Sequence, residues 1–493
     1  MNIISPIVAH AETQGDKVAI IIGDKRITYE TLVRRAGCIA ANLAQRGVKP
    51  GDVVAIRCDL ADFVCITLGI AWAGATSISF AGLDPDELED MTRFAGVSFI
   101  VTYEKNKLDP LPQWMPAAAT LRELQTEGAP DIPVADCADD ATWRIGFSSG
   151  TTGHRKVIRF GHASSHAKSD LLSRVPKIRG DITLIYLGFA LTFAVVYWMR
   201  ELARGTTVAL MDSRQDALDA IAKSQADLIV SSPANAVELV RLIRRTGRRV
   251  PPCVKTVMVG GAPISQAHRK LVREYVCPNL WSNYGATEIG LVALVGPELM
   301  ATQPASAGRV MPWVELEVIG DDGKPLPPLA EGVLRYRSPM LASGYILPPD
   351  ASDADRHAFD DGWFLSSDRG FVTEGKLLFL AGRESDVINL GGHKVDSAVI
   401  ESVVEDFPGV LECAAIGVPA ISKGAVQVAI FYVSEELLDS DELVKHCAAH
   451  LDRWHAPSVY MRVPKLPRNE GGKVMRAGLI AQMRKLAQQK VET

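Results

Sequence analysis

The stretch Phe147-Ser148-Ser149-Gly150-Thr151-Thr152-Gly153-His154-Arg155-Lys156 decides how the rest of the chain is read. Gly150 and Gly153 allow a tight backbone turn that aims amide N–H groups at an anion. The hydroxyls of Ser148, Ser149, Thr151 and Thr152 add donors, and Lys156 adds positive charge. Such a loop suits a polyphosphate. On the residues alone a polar surface turn is the competing reading. The spacing is not that of the Walker A loop, in which Gly-Lys-Ser/Thr opens a helix.

Working outward, Gly260-Gly261-Ala262-Pro263 follows the apolar run 254–259, so a ligand can approach the backbone at a strand's carboxyl end. A simple strand-to-helix turn is the alternative. Further on, Asn283-Tyr284-Gly285-Ala286-Thr287-Glu288 sets a tyrosine ring beside a glycine, where it can face a planar base. Thr287 and Glu288 offer a hydroxyl and a hard carboxylate oxygen, which Mg²⁺ favours.

Composition sets the frame. The 493 residues predict two to four domains at about 100–200 residues each. With 53 Lys+Arg against 58 Asp+Glu the net charge is −5, which argues against a nucleic-acid partner held by a basic surface. A hydrophobic share of 47% with 23% charged residues excludes a mainly disordered chain. The cysteines, at 38, 58, 65, 137, 253, 277, 413 and 447, show no metal-ligand spacing and read as reduced thiols of a cytoplasmic protein. Residues 1–12 have no basic patch followed by a long apolar core, so no secretory leader is expected. The apolar stretches 64–83 and 184–199 read as buried core elements and not as membrane spans.

Strand-like runs at 53–56, 97–102, 207–210, 228–231 and 254–259 are apolar on both faces, as buried parallel strands are. Helical patterns at 29–45, 61–73, 216–223, 235–245 and 264–275 alternate with them. Residues 105–141 read as a surface excursion. Hairpins are expected around 321–325 and 374–375, within a small β-rich subdomain. The last part carries helical patterns at 397–405 and 439–450. The fold class is α/β: a large N-terminal domain of layered α/β subdomains plus the β-rich subdomain, then a small α+β C-terminal domain.

Together these motifs resemble the adenylate-forming (ANL) superfamily: acyl- and aryl-CoA synthetases, adenylation domains and luciferases. The order of the remaining matches is similar too. Ile27-Thr28-Tyr29-Glu30, 50–56 and 67–80 resemble the early segments, Gly332-Val333-Leu334 and Gly344-Tyr345 the β-subdomain motifs, and 363–368 the ribose segment. Gly382-Arg383-Glu384-Ser385-Asp386 resembles the hinge, and Asn469-Glu470-Gly471-Gly472-Lys473-Val474 the catalytic-lysine loop.

The resemblance implies an AMP-binding domain over 1–383 and a mobile domain over 384–493 that carries the catalytic lysine. It implies that Ser149, Gly150, Thr151, Thr152, Gly153 and Lys156 close over the β- and γ-phosphates of ATP. Gly261, Ala262 and Tyr284 line the adenine, Thr287 meets the α-phosphate, and Glu288 holds Mg²⁺. Asp368 and Arg383 reach the ribose, and Lys473 bridges the acid and the α-phosphate. The hinge falls at Ser385, and Gly391-Gly392 faces the pantetheine channel in a second pose.

Three positions depart from the family pattern: Arg155 for Pro and Val157 for Gly in the phosphate loop, and Ser367 for Gly before Asp368. In Gly188-Phe189-Ala190-Leu191-Thr192-Phe193 no aspartate stands where α-amino-acid-activating members hold an ammonium. A buried, unpaired ammonium is costly, so an α-amino acid is disfavoured. Phe189, Leu191, Phe193 and Trp198 line an apolar acyl pocket or simply pack the core. The expected activity is ATP-dependent conversion of a carboxylic acid to an acyl-adenylate, then to a thioester of coenzyme A. The alternatives are a stand-alone loader of a carrier protein's phosphopantetheine and a nucleotide-binding homologue without catalysis.

Overall fold

The computed structural model describes residues 1–58, 60–81, 83, 85–103, 117–126, 128, 131–148, 156–211, 215–349, 351–383, 387–390, 393–419, 426–468 and 473–489. Two large sheets dominate the described N-terminal part. In the first, Val18–Ile22, Thr207–Leu210, Ile182–Tyr186, Leu228–Ser231, Thr256–Val259 and Leu280–Ala286 lie side by side and parallel. Their residues are buried on both faces: Leu184, Ile185, Val208, Val230 and Met258 are almost wholly inaccessible. This is why these strands read as continuous apolar runs.

Gly290–Val295 folds back antiparallel on Leu280–Ala286. From it the same sheet continues through Gly308–Val310, Leu377–Arg383, Trp363–Val372, Gly332–Arg337 and Glu315–Ile319. The β-rich part therefore shares one unbroken hydrogen-bond ladder with the parallel half. Both expected hairpins are there, Glu315–Ile319 against Gly332–Arg337 and Trp363–Val372 against Leu377–Arg383.

The second sheet runs Gly344–Ile346, Lys156–Gly161, Thr142–Ser148, Thr76–Ser79, Val53–Arg57, Val97–Thr102 and Ala118–Thr120. The last of these corrects the reading of 105–141 as surface excursion. Ala118–Thr120 is a parallel edge strand on Val97–Thr102, and Thr120 caps a short helix whose Leu121 and Leu124 are buried. Three residues are too few to show a β period, so the segment looked irregular. Residues 105–116, 127, 129 and 130 of that stretch lie outside the described residues.

Side-chain caps set several helix starts. Thr28 caps Tyr29–Gln45, Ser232 caps Pro233–Thr246 and Ser265 caps Gln266–Tyr275. Asp216 and Asp439, which periodicity alone placed inside their helices, are N-caps whose carboxylates accept backbone N–H groups. Capping of this kind is worth about 1 kcal/mol each. The apolar stretches at 64–83 and 184–199 are core elements, and among the described residues no helix is long and apolar enough to cross a membrane.

The small C-terminal unit pairs Val387–Leu390 with His393–Asp396. It then builds a sheet from Glu412–Pro419, Val426–Val433 and Val459–Arg462. Alternate residues of Val426–Val433 serve two cores, Ile430 with Ile400 and Leu443 on one face, Phe431 with Ile416 and Leu479 on the other. This unit touches the large part through His268, whose Nε2 lies 2.6 Å from the Leu411 carbonyl. Glu405 lies 3.7 Å from His268, and Glu412 lies 3.4 Å from Arg241.

Candidate functional site

Residues 149–155 lie outside the described residues, but their flanks are fixed. Thr142–Ser148 and Lys156–Gly161 pair antiparallel, with Ser148 opposite Lys156. The glycine–threonine stretch thus connects two adjacent strands, where a Walker A loop would connect a strand to a helix. Lys156 salt-bridges Asp355 at 2.5 Å, and its ammonium sits 5.1 Å over the Tyr345 ring.

Tyr345 links this sheet to the other one. Its hydroxyl donates to Glu288 Oε1 at 2.7 Å, and the Ala342 amide donates to the Glu288 carbonyl at 2.7 Å. Burial, and after it the Glu288 carboxylate, pushes the Tyr345 phenol far up, so it stays a donor. Glu288 sits in the turn between Leu280–Ala286 and Gly290–Val295 and is 7% exposed. Among the described residues its second oxygen takes no hydrogen bond or ion pair. One oriented carboxylate with a spare oxygen suits Mg²⁺, which is held by one or two carboxylates together with substrate phosphates. Among the described residues there is no cluster of His, Cys, Asp and Glu that would cage a metal by itself. Thr287 stands next to Glu288 in the same turn, half-buried.

That turn is held by close backbone approach. A Cβ on Gly285 would lie 2.0 Å from the Gly290 carbonyl oxygen. Gly260, at the end of Thr256–Val259, packs against Asn283, whose Oδ1 would be 1.7 Å from an added Cβ. The next residue, Gly261, has φ +85° and is exposed, with Ala262 half-buried beside it. The parallel strand end and the hairpin therefore meet at one edge, as the sequence order implies.

Tyr284 closes the third side. Its hydroxyl donates to Asp368 Oδ2 at 2.5 Å, and the Tyr336 hydroxyl lies 2.7 Å away. Burial first, then Tyr336 and Asp368, holds the Tyr284 phenol well above its ordinary range. Asp368 is 5% exposed and pairs in register with Arg383 across the Trp363–Val372 and Leu377–Arg383 ladder. Tyr336 and Tyr345 are partners that motif reading did not assign. Tyr345 was at hand in Gly344-Tyr345, but only the stacking of the two sheets shows that it meets Glu288.

Lys473 belongs to the C-terminal unit, next to the bridge that pairs Arg468 with Val474, and its ammonium nitrogen is screened from solvent. Ser385 and Gly391-Gly392 lie outside the described residues. Of the proposed acyl-pocket residues, Phe189, Leu191 and Phe193 are partly buried. Trp198 is fully buried and its indole N–H donates to the Phe189 carbonyl at 3.2 Å, a packing role that holds the 188–193 segment in place.

A profile of the AMP-binding enzyme family matches residues 7–346, and one of the AMP-binding enzyme C-terminal domain matches residues 399–473. A long-chain-fatty-acid–CoA ligase of Mycobacterium tuberculosis is 29% identical over 491 residues, covering 92% of this chain and 93% of that protein. A fatty acid–[acyl-carrier-protein] ligase of Streptomyces coeruleorubidus is 27% identical over 508 residues, covering 95% and 94%. The structure of O-succinylbenzoate coenzyme A synthetase from Bacillus subtilis in complex with ATP and magnesium ion superposes with a TM-score of 0.82. It is 23% identical and covers 96% of this chain and 98% of that one.

Proposed function

The chain belongs to the AMP-binding enzyme family, and from that membership we propose that it is an acid–thiol ligase. It activates a carboxylic acid with ATP and passes the acyl group to coenzyme A. The observation that carries the reading is the meeting of Tyr284, Asp368 and the Glu288 turn at one edge where two sheets join.

In the first step a carboxylate oxygen attacks the α-phosphorus, the bond to the β-phosphate breaks, and pyrophosphate leaves. Two anions must approach, and charge grows on the leaving group, so preorganised donors and cations lower the barrier. Asp368 accepts from the ribose hydroxyls with its two oxygens, and Arg383 lies opposite it on the neighbouring strand. Tyr284, Gly261 and Ala262 border the base. Thr287 donates to the α-phosphate, while Ser149, Gly150, Thr151, Thr152, Gly153 and Lys156 take the β- and γ-phosphates. Glu288 would hold Mg²⁺. A bound Mg²⁺ supplies positive charge to the phosphate oxygens. Lys473 reaches the acid and the α-phosphate from the C-terminal domain, residues 384–493, which then turns about Ser385 to admit the thiol. In the second step the thiol sulfur attacks the acyl carbon and AMP leaves.

The similarity to a carrier-protein ligase keeps phosphopantetheine as the second acceptor reading. The cysteines at 38, 58, 65, 137, 253, 277, 413 and 447 are all free, which favours a reducing compartment such as the cytoplasm. The test is ATP–pyrophosphate exchange over a panel of acids, repeated with coenzyme A and with a carrier protein. Acid-dependent exchange is expected. Its absence with every acid would favour a nucleotide binder without catalysis.

A further inference from the structure

A small chamber lies between strand Thr142–Ser148 and helices His162–Ser173 and Thr192–Ala203. Its volume is about 20 Å³, enough for one water. Most of its wall is apolar, with Trp143, Phe160, Val195 and Met199. Two cations also line it. Arg144 is 2% exposed and Lys168 is 3% exposed. Arg144 Nη2 donates to the Ala190 carbonyl at 2.8 Å, but its Nε and Nη1 meet no hydrogen-bond partner, and neither does Lys168 Nζ. The Lys168 ammonium rests 4.6 Å from the Phe160 ring centre.

A buried cation without a partner is unfavourable, and two beside one cavity are more so. Burial pulls Arg144 down to about 10. Burial also pulls Lys168 down to about 8, with Glu288 opposing. Glu288 shares no hydrogen bond or ion pair with Lys168 among the described residues, and the ligase reading commits its spare oxygen to magnesium. An anion is therefore what the chamber lacks. It also adjoins the segment that borders the acyl group. The Arg144 guanidinium lies 5.5 Å from the Phe63 ring centre, Phe63 packs edge-on to Phe189 at 5.0 Å, and Ala190 is the Arg144 acceptor.

We propose that Arg144 and Lys168 receive a second carboxylate at the far end of the acid, so that the substrate is a dicarboxylate. The inference rests on the ligase reading and narrows its substrate class. A carboxylate brings two acceptor oxygens to the unused N–H groups of Arg144 and to Lys168 Nζ. The long stem of Lys168 is the rotatable part of the wall that gives way to admit them. The same two charges repel an ammonium, in line with the missing aspartate in 188–193.

The test pairs monocarboxylates with α,ω-dicarboxylates of equal length, butanoate to octanoate against succinate to octanedioate. In ATP–pyrophosphate exchange one dicarboxylate should exceed its monocarboxylate in kcat/KM by about tenfold or more, and Lys168→Met should cut that ratio by about as much. Thermal shift reads the chamber independently of catalysis. The ligand-free Lys168→Met protein should melt higher, because an unpaired buried charge is gone, and it should lose the stabilisation that the dicarboxylate gives the unaltered protein. Arg144→Met tests the same ratio if Lys168→Met does not fold. Exchange with monocarboxylates, without preference for or stabilisation by any dicarboxylate, would overturn the chamber assignment and leave the ligase reading standing. Chloride or acetate matching the dicarboxylate's stabilisation would also overturn it, in favour of a structural anion. Loss of exchange with every acid would overturn the ligase reading, while a dicarboxylate-specific shift abolished by Lys168→Met would still support the receptor.

Discussion

Asp368 accepts a hydrogen bond from the Tyr284 hydroxyl at 2.5 Å. On the proposed ribose role, replacing it with alanine removes the acceptor for both hydroxyls. Hydrogen bonds to a charged group are worth about 1.5–3 kcal/mol each, so the KM for ATP should rise by about tenfold or more in steady-state kinetics. An unchanged KM would remove Asp368 from the ribose. His162 is a second informative residue. It is wholly buried, and its Nδ1 accepts the Ile3 amide at 3.0 Å. Burial, then His166 and the amino terminus, pulls it down to about 4. The folded state therefore binds fewer protons than the unfolded chain between about pH 6.5 and 4. The neutral ring's stability is complete above about pH 6.5 and is lost as pH falls towards 4, by up to about 3 kcal/mol. Denaturant titrations over this window should show a steeper acid loss for the unaltered protein than for His162→Gln. Parallel curves would contradict this.

At the scale of elements, the hairpin that carries Thr287 and Glu288 depends on a glycine for space. Gly285→Ala puts a methyl 2.0 Å from the Gly290 carbonyl oxygen. Relief needs a backbone shift, so the change should cost about 1–3 kcal/mol and lower the melting temperature. No change in melting would mean that the hairpin gives way more easily than its packing indicates. Helix Tyr29–Gln45 was legible to the residue because Thr28 caps it and its apolar positions recur on one face. The parallel strands at 53–56, 97–102, 207–210, 228–231 and 254–259 were legible from their apolarity, whereas Val18–Ile22, Thr76–Ser79, Ile182–Tyr186 and Leu280–Ala286 were not read as strands. Arg144 and Lys168 were not. A charge in Thr-Trp-Arg-Ile-Gly-Phe or in an otherwise polar helix carries no mark of which face turns inward until the layers stack. The Tyr345–Glu288 bond escaped for the same reason, since Tyr345 lies in one sheet and Glu288 in a turn of the other.

At the scale of the whole molecule, the two units share an interface through His268, Leu411, Glu405, Arg241 and Glu412. On the proposed role of Lys473 at the reacting centre, Lys473→Ala should slow adenylation by about a hundredfold or more, the cost of losing one preorganised donor. Thioester formation from supplied acyl-adenylate should survive, and equal loss of both half-reactions would remove the two-pose role. The motif order made the family legible in sequence, and its two models match residues 7–346 and 399–473, whereas the continuity of the large sheet was not legible, because pairing between distant strands leaves no local trace. That continuity has a mechanical consequence. From Lys25–Thr28 to Glu315–Ile319 the ladder has no seam along which its halves could slide. Tyr284 and Asp368 both belong to this ladder, so the edge they share with the Glu288 turn keeps its shape as one unit.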